Sequence, residues 1–302
     1  MLDLWILITL GAVAMQAIRA MMQKSLAPRY TVLGVTYARF LFAFPLAVLF
    51  VFAAVQSTNT PWPVPPPIFF VYAVIGGITQ ILGNVVFIHL IGFANFTIST
   101  TYSKTETVLA ALFSFIVIGD VLNGLGFAGV LLTFVGVLVI AAGSQQLSVK
   151  SLILAVTDKA ALYGLAVGAL YAVASTSYRA GSLSLGGDGF VVQALYTLAW
   201  VSFFQWLLMG AWIGVTSPIV LHTIVRNWRS AIWLGITGVT ASAGWYLAFA
   251  LQKIPYVLAV GQVELVLAYL ASHYMYKERA KPVEIAGILL TVAGILFVVF
   301  AK

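Results

Sequence analysis

Cysteine is absent from the 302 residues, which excludes disulfides, thiolate metal sites and cysteine nucleophiles. Charge is nearly as scarce: Asp, Glu, Lys and Arg make up 8% of the chain, against about 25% in a soluble domain. So little charge cannot cover a water-facing surface. The three histidines, His89, His222 and His273, have no metal-ligand spacing. There is no H-E-x-x-H, G-x-S-x-G or nucleotide-binding glycine motif. Enzyme chemistry finds no foothold, and neither a cofactor nor a metal is expected. What is abundant is apolar, with 62% of residues hydrophobic. A span needs about 20 apolar residues, so ten spans take about 200 and leave only short connections. The 15 Lys+Arg against 8 Asp+Glu give +7, but these cations sit mostly in short loops. That pattern orients a membrane protein and does not point to nucleic acid. Met1-Leu2-Asp3 offers no basic start to a signal peptide, although Ala12-Val13-Ala14 loosely resembles a cleavage site. The first apolar run is therefore expected to be a retained helix.

Hydropathy and turn residues divide the chain into ten apolar runs, at 4–24, 31–55, 68–90, 94–118, 124–143, 160–182, 189–212, 230–251, 254–276 and 283–300. Thr60-Pro61-Trp62-Pro63-Val64-Pro65-Pro66-Pro67 cannot continue a helix and fits an extended polyproline linker. Gly186-Gly187-Asp188-Gly189 reads as a plain turn.

The chain repeats itself. Residues 106–138 match 264–296 at a constant offset of 158, with 13 of 33 positions identical. Glu106-Thr-Val-Leu-Ala-Ala-Leu-Phe-Ser114 aligns with Glu264-Leu-Val-Leu-Ala-Tyr-Leu-Ala-Ser272, and Gly129, Thr133 and Gly136 align with Gly287, Thr291 and Gly294. Residues 17–25 and 172–180 agree more weakly, with Lys24 opposite Arg179. The halves, 1–146 and 147–302, then hold five helices each. An odd number turns the second half upside down, giving an all-α polytopic protein of ten transmembrane helices in two inverted repeats. Inverted repeats build transporters whose site lies near the midplane.

In each half an acidic residue closes one helix (Asp120; Lys277-Glu278), followed by Gly129 and Gly136, or Gly287 and Gly294. This pattern resembles the EamA family of the drug/metabolite transporter superfamily. The resemblance implies a ten-helix secondary transporter in a plasma or bacterial inner membrane. Such proteins are often exporters of amino acids or other small metabolites, and the first four helices of each half line a cavity. One departure stands out: the proline usual in the family's fourth helix is replaced by Thr107 and Leu265, which puts the associated kink in doubt.

Ionisable residues inside a bilayer are functional candidates because burying them is expensive. They are Arg19, Arg39, Lys104, Glu106 and Glu264. At about 1.5 Å per residue, the three cations share one depth and the two carboxylates fall near the middle of a core about 30 Å thick. Arginine offers carboxylates a bidentate fork, and burial favours the proton-carrying form of a carboxyl group. A basic wall for an anionic group, with two proton-carrying carboxylates, is one reading. Simple charge pairing of Arg19 or Arg39 with Glu106 is the other. Tyr102, one turn before Glu106, and Trp245 and Tyr246 in the eighth helix would add an aromatic surface for an amphiphile. Gly164, Gly168 and Ala172 form a close-packing stripe. The expected partners are a small-molecule substrate, the lipid bilayer and, if the carboxylates titrate, protons. An uncoupled facilitator or an anion or organic-acid exchanger are the rival functions; a membrane enzyme is disfavoured, since it has little use for two inverted copies of a lining helix. The loops holding Lys24, Arg29, Lys150, Lys159, Arg226, Arg229, Lys277, Arg279 and Lys281 outnumber in charge the face holding Arg179, Lys253 and Lys302. Loop charge thus places both termini outside, whereas the resemblance places them inside.

Overall fold

A computed structural model describes residues 3–93, 102–145, 159–187, 189–265 and 282–301. The first residues of the fourth expected span, the last of the ninth, and His273 lie outside these. The described residues are 89% helical and contain no strand. In chain order the helices are α1 (Leu4–Thr58), α2 (Pro67–Phe93), α3 (Glu106–Ile118), α4 (Gly124–Gln145), α5 (Lys159–Ser184), α6 (Phe190–Thr216), α7 (Pro218–Arg226), α8 (Trp228–Leu251), α9 (Ile254–Gly261) and α10 (Pro282–Phe300). Among the described residues, seven segments are long and apolar enough to cross a membrane: Leu4–Gln23, Leu33–Thr58, Pro67–Phe87, Lys159–Ser184, Phe190–Thr216, Trp228–Leu251 and Pro282–Phe300. Three shorter apolar helices, Glu106–Ile118, Gly124–Ile140 and Ile254–Leu265, fall in the remaining expected runs.

Local chemistry accounts for the helix ends. α1 is two helices joined at Thr31, whose φ of 63° and ψ of 165° are not helical. Gly34 N–H donates to Thr31 Oγ1 at 3.2 Å, so the break residue also caps the second arm. Pro45 sits inside that arm without interrupting it. α2, α7 and α10 each open on proline, where the missing N–H has no helical partner to lose. α3 ends at Gly119, φ 80°, with Gly119 N–H on Phe115 O and Asp120 N–H on Ser114 O at 3.2 Å, a glycine-dependent closure. Asn123 Oδ1 accepts from Gly126 N–H at 2.7 Å and caps α4. Gly186 and Gly187 both have positive φ, and Gln193 Nε2 donates to both of their carbonyls. The expected turn is therefore a glycine turn tied to α6.

The chain forms two compact units, residues 1–81 with 177–252, and residues 82–176 with 253–302. Each draws on both halves of the sequence. In the first, α1 packs on α8, α6 and α7. Its core around Tyr30, Val35, Phe40, Ile213, Ile224 and Leu234 is buried. Arg29 donates to Asn227 Oδ1, and Tyr30 OH donates to Asn227 O at 2.7 Å. Arg179 donates to Phe249 O and, at 3.0 Å, to Gln252 O, satisfying carbonyls that the end of α8 leaves open.

In the second unit α4 packs along α10, and α9 packs on α3, α4 and α10. The α4–α10 crossing is made by the repeated glycines. A Cβ on Gly129 would fall 2.8 Å from Gly294 O, and one on Gly136 would fall 2.8 Å from Gly287 O. Thr133 and Thr291, both fully buried, return their hydroxyls to Gly129 O at 2.8 Å and Gly287 O at 2.9 Å. The two copies of Gly-x-x-x-Thr-x-x-Gly thus meet head to tail, backbone against backbone. The α5 stripe behaves likewise: a Cβ on Gly168 would lie 3.0 Å from Glu106 N, and Gly164 faces Tyr102.

Candidate functional site

Two places gather the expected residues. In the first unit, the second arm of α1 carries Arg39, which is 7% exposed. Its side chain lies along Gly238, where a Cβ would come within 2.8 Å of Arg39 Cγ. Its guanidinium stands 5.1 Å from the Phe40 ring, and Nη2 donates to Ser242 Oγ at 3.4 Å. Arg39 borders a cavity of about 10 Å³ with Gln80, Ser202, Gln205, Ser242 and Tyr246, room for one water. Gln205 Nε2 donates to Gln80 Oε1 at 2.5 Å. Tyr246 stacks on Tyr178 at 4.4 Å, and Tyr178 OH donates to Gly76 O at 3.1 Å. One cation among amides and hydroxyls can hold a single ordered water there.

Arg39 and Tyr246 border the same cavity. Trp245, next in sequence to Tyr246, points elsewhere: its Nε1 donates to Gln16 Oε1 at 3.0 Å, and its ring stacks on Phe249 at 5.7 Å. Successive helix residues diverge by about 100°, so one helix cannot aim both aromatics at one cavity. Arg19 is partly buried in the first arm of α1 and is not among the cavity's lining residues.

In the second unit, Glu106 is the first residue of α3. Tyr102 and Ser103 are helical, Lys104 and Thr105 form a turn, and α3 restarts at Glu106. The bonds across the break tighten to three-residue spacing, with Thr105 N–H on Tyr102 O at 3.2 Å and Thr107 N–H on Lys104 O at 3.1 Å. A similar break precedes the other carboxylate. α9 ends at Gly261, Gln262 is a turn residue, and residues 263–265 are helical again with Glu264 among them. Gln262 N–H bonds Ala259 O at 3.1 Å, and Leu265 N–H bonds Gln262 O at 3.0 Å. At the repeat offset, Lys104 is the counterpart of Gln262. Two residues before each glutamate the helical bonding thus tightens to three-residue spacing, with Thr105 and Gln262 keeping right-handed helical backbone angles, although neither segment carries the family's proline. Tight turns inside helices mark hinges, and a carboxylate opening a helix is favoured by the backbone dipole.

Sequence reasoning missed Gln80, Ser202, Gln205, Ser242 and Tyr178. The signal was present: a buried amide in an apolar helix needs a partner as a charge does, and Gln80 and Gln205 are each other's.

Residues 3–142 match the family described as the EamA-like transporter family. Among proteins of curated function none matches the sequence. A crystal structure of a protein 15% identical to this chain covers 98% of it, and 96% of that chain, with a TM-score of 0.68. That likeness shows the fold alone.

Proposed function

We propose, from the match of residues 3–142 to the EamA-like transporter family and the apolar membrane-length helices, that this chain is a multi-pass member of that family and a secondary exporter. Its cargo is a small polar or amphiphilic metabolite such as an amino acid. Its ten spans form two inverted five-helix halves, 1–146 and 147–302, which rock in alternating access. Arg39, with Gln80, Ser202, Gln205, Ser242 and Tyr246, binds the substrate's polar group; Arg19 and Trp245 belong to the same unit but do not line that cavity. Glu106 and Glu264 carry the coupling protons, Lys104 and Tyr102 flanking the first.

The observation that carries this reading is the tightened three-residue turn before Glu106 and before Glu264. Transporters place ion and substrate sites at discontinuous helices, where irregular backbone is tolerated only if protein or a water-filled cavity satisfies it. The back-to-back crossing of Gly129, Thr133 and Gly136 with Gly287, Thr291 and Gly294 supports inverted copies.

The test is flux in liposomes under an imposed pH gradient. Glu106→Gln and Glu264→Gln keep side-chain shape but cannot exchange a proton. Each is expected to abolish gradient-driven accumulation while melting as the parent does. Unchanged pH dependence in both variants would leave an uncoupled facilitator.

A further inference from the structure

α6 and α8 are both long and apolar enough to span a bilayer, so the chain between them, residues 217–227, lies at one membrane surface. It holds α7, whose nine residues reach only about 14 Å and cannot cross. This short helix has two faces. Val220, Leu221 and Ile224 pack into the core with Tyr30 and Leu234. Ile219, His222 and Arg226, spaced three and four apart, are exposed on the other side. The exposure is apolar as well as charged: Val215, just before α7, is 86% exposed, Ile219 68% and Val225 64%. Trp212 near the end of α6 and Trp228 and Trp233 at the start of α8 are each about half exposed. Exposed aliphatic residues beside tryptophans fit the boundary between headgroups and acyl chains, the place of an amphipathic helix that does not span.

Cations gather on the same surface. Arg226 closes α7, Arg229 lies in the first turn of α8, and Arg29 precedes the break in α1 at Thr31; all three are exposed. The bond from Arg29 to Asn227 Oδ1 ties the α1 break to the α7–α8 junction, so the three arginines cluster about Asn227. Arg229 stands 5.9 Å from the Trp228 ring centre, a cation–π distance. Asn227 is neutral and balances none of this charge. No Asp or Glu occurs between residues 4 and 105 or between 189 and 263, which leaves this unit only Asp3 and Asp188. They precede α1 and α6. α6 has 27 residues and α1 runs a similar length before Thr31, so about 40 Å of helix lies between each carboxylate and the arginines. The counter-ion of this cluster is not supplied by its own unit. Arginine's planar fork matches phosphate oxygens, and Val215, Ile219 and Trp228 offer an apolar footing that acyl chains would use and a free phosphate ion would not.

We propose that the α7–α8 junction is a binding site for an anionic phospholipid, its phosphate held by Arg29, Arg226 and Arg229 and its chains lying on Val215, Ile219 and Trp228. This rests on the membrane placement of the helices and not on the transport reading.

The experiment is native mass spectrometry and thermal shift of the full-length protein in mild detergent. The probes are phosphatidylglycerol and phosphatidylcholine with identical acyl chains, and glycerol 3-phosphate as a soluble counterpart. Phosphatidylglycerol is expected to bind at least fivefold tighter than phosphatidylcholine, and glycerol 3-phosphate to give no shift. Arg226→Gln and Arg229→Gln should each lower that ratio at least twofold and together bring it near one, with ligand-free melting unchanged because both side chains are exposed. Lys253→Gln with Lys302→Gln, which removes as much charge elsewhere, should leave the ratio as it is. Equal binding of the two lipids, or a ratio that survives both arginine substitutions, would overturn the site. An equal fall in the lysine pair would reduce the preference to net charge and overturn it too. A shift with glycerol 3-phosphate as large as that with phosphatidylglycerol would replace the lipid by a soluble anion and refute the proposal.

Discussion

Alanine at the α4–α10 crossing should destabilise the protein at positions where the sequence alone would favour alanine. In an open helix, Gly→Ala gains about 1 kcal/mol from propensity. At this crossing the new methyl group meets backbone. A Cβ on Gly136 would sit 2.8 Å from Gly287 O, and one on Gly294 would sit 2.7 Å from Gly129 O, where real Cβ contacts essentially never fall below 3.0 Å. A carbonyl in a helix cannot swing aside as a side chain can, so the helices must separate. Overpacking of this kind costs about 1–3 kcal/mol. Gly11, on α1, has nothing within 4 Å of its virtual Cβ and supplies the control. Gly136→Ala and Gly294→Ala should each be about 1–3 kcal/mol less stable than Gly11→Ala, the propensity gain being common to all three. Because the two are repeat counterparts in one head-to-tail contact, their losses should match. The assay is reversible unfolding in mixed detergent micelles with increasing SDS, followed by circular dichroism. If either crossing variant proves as stable as Gly11→Ala, the close backbone approach is wrong. If only one is destabilised, the symmetric pairing is wrong.

Removing the cap on α8 by Arg179→Gln should lower stability by about 1–2 kcal/mol, since carbonyls at a helix end lose a charged donor; an unchanged melting temperature would show that Phe249 O and Gln252 O are satisfied otherwise. The loop-charge asymmetry predicts both termini outside, so a C-terminal reporter active only in the cytoplasm should stay silent, and strong signal would reverse the orientation.

The spans were legible because bilayer physics needs only hydrophobicity and length. Among the described residues, seven of the expected runs hold helices long and apolar enough to cross a membrane, and shorter apolar helices fall within the others. The glycine–threonine crossing was also visible, because Gly129, Thr133 and Gly136 recur as Gly287, Thr291 and Gly294. The arrangement into compact units was not, since periodicity says which face of a helix is apolar but not which helix covers it. The polar cavity was read only through its charge. Arg39 is conspicuous in an apolar run; Gln80 and Gln205 are 125 residues apart and acquire meaning only when α2 and α6 bring them together. Trp245 was grouped with Tyr246 by proximity in sequence, and helical geometry parted them.

The missing proline is the instructive case. A helix without proline reads as continuous, yet α3 restarts at Glu106 behind the Lys104–Thr105 turn. Packing supplies a reason: at Gly168 the α5 backbone comes so close that a Cβ there would sit 3.0 Å from Glu106 N, so a neighbouring helix rather than the local sequence crowds this point. If so, the proline is dispensable and should also be tolerated. Thr107 is the second residue of α3, within the first turn, where N–H groups have no partner inside the helix. Thr107→Pro forfeits only the 3.1 Å bond to Lys104 O and should cost about 1 kcal/mol. Ala111→Pro, inside the same helix, should cost about 3 kcal/mol or more through the lost i−4 bond and the ring clash. Unfolding in detergent measures both. Were Thr107→Pro as damaging as Ala111→Pro, the helix would run unbroken through Lys104, and the discontinuity on which the coupling role of Glu106 rests would be gone.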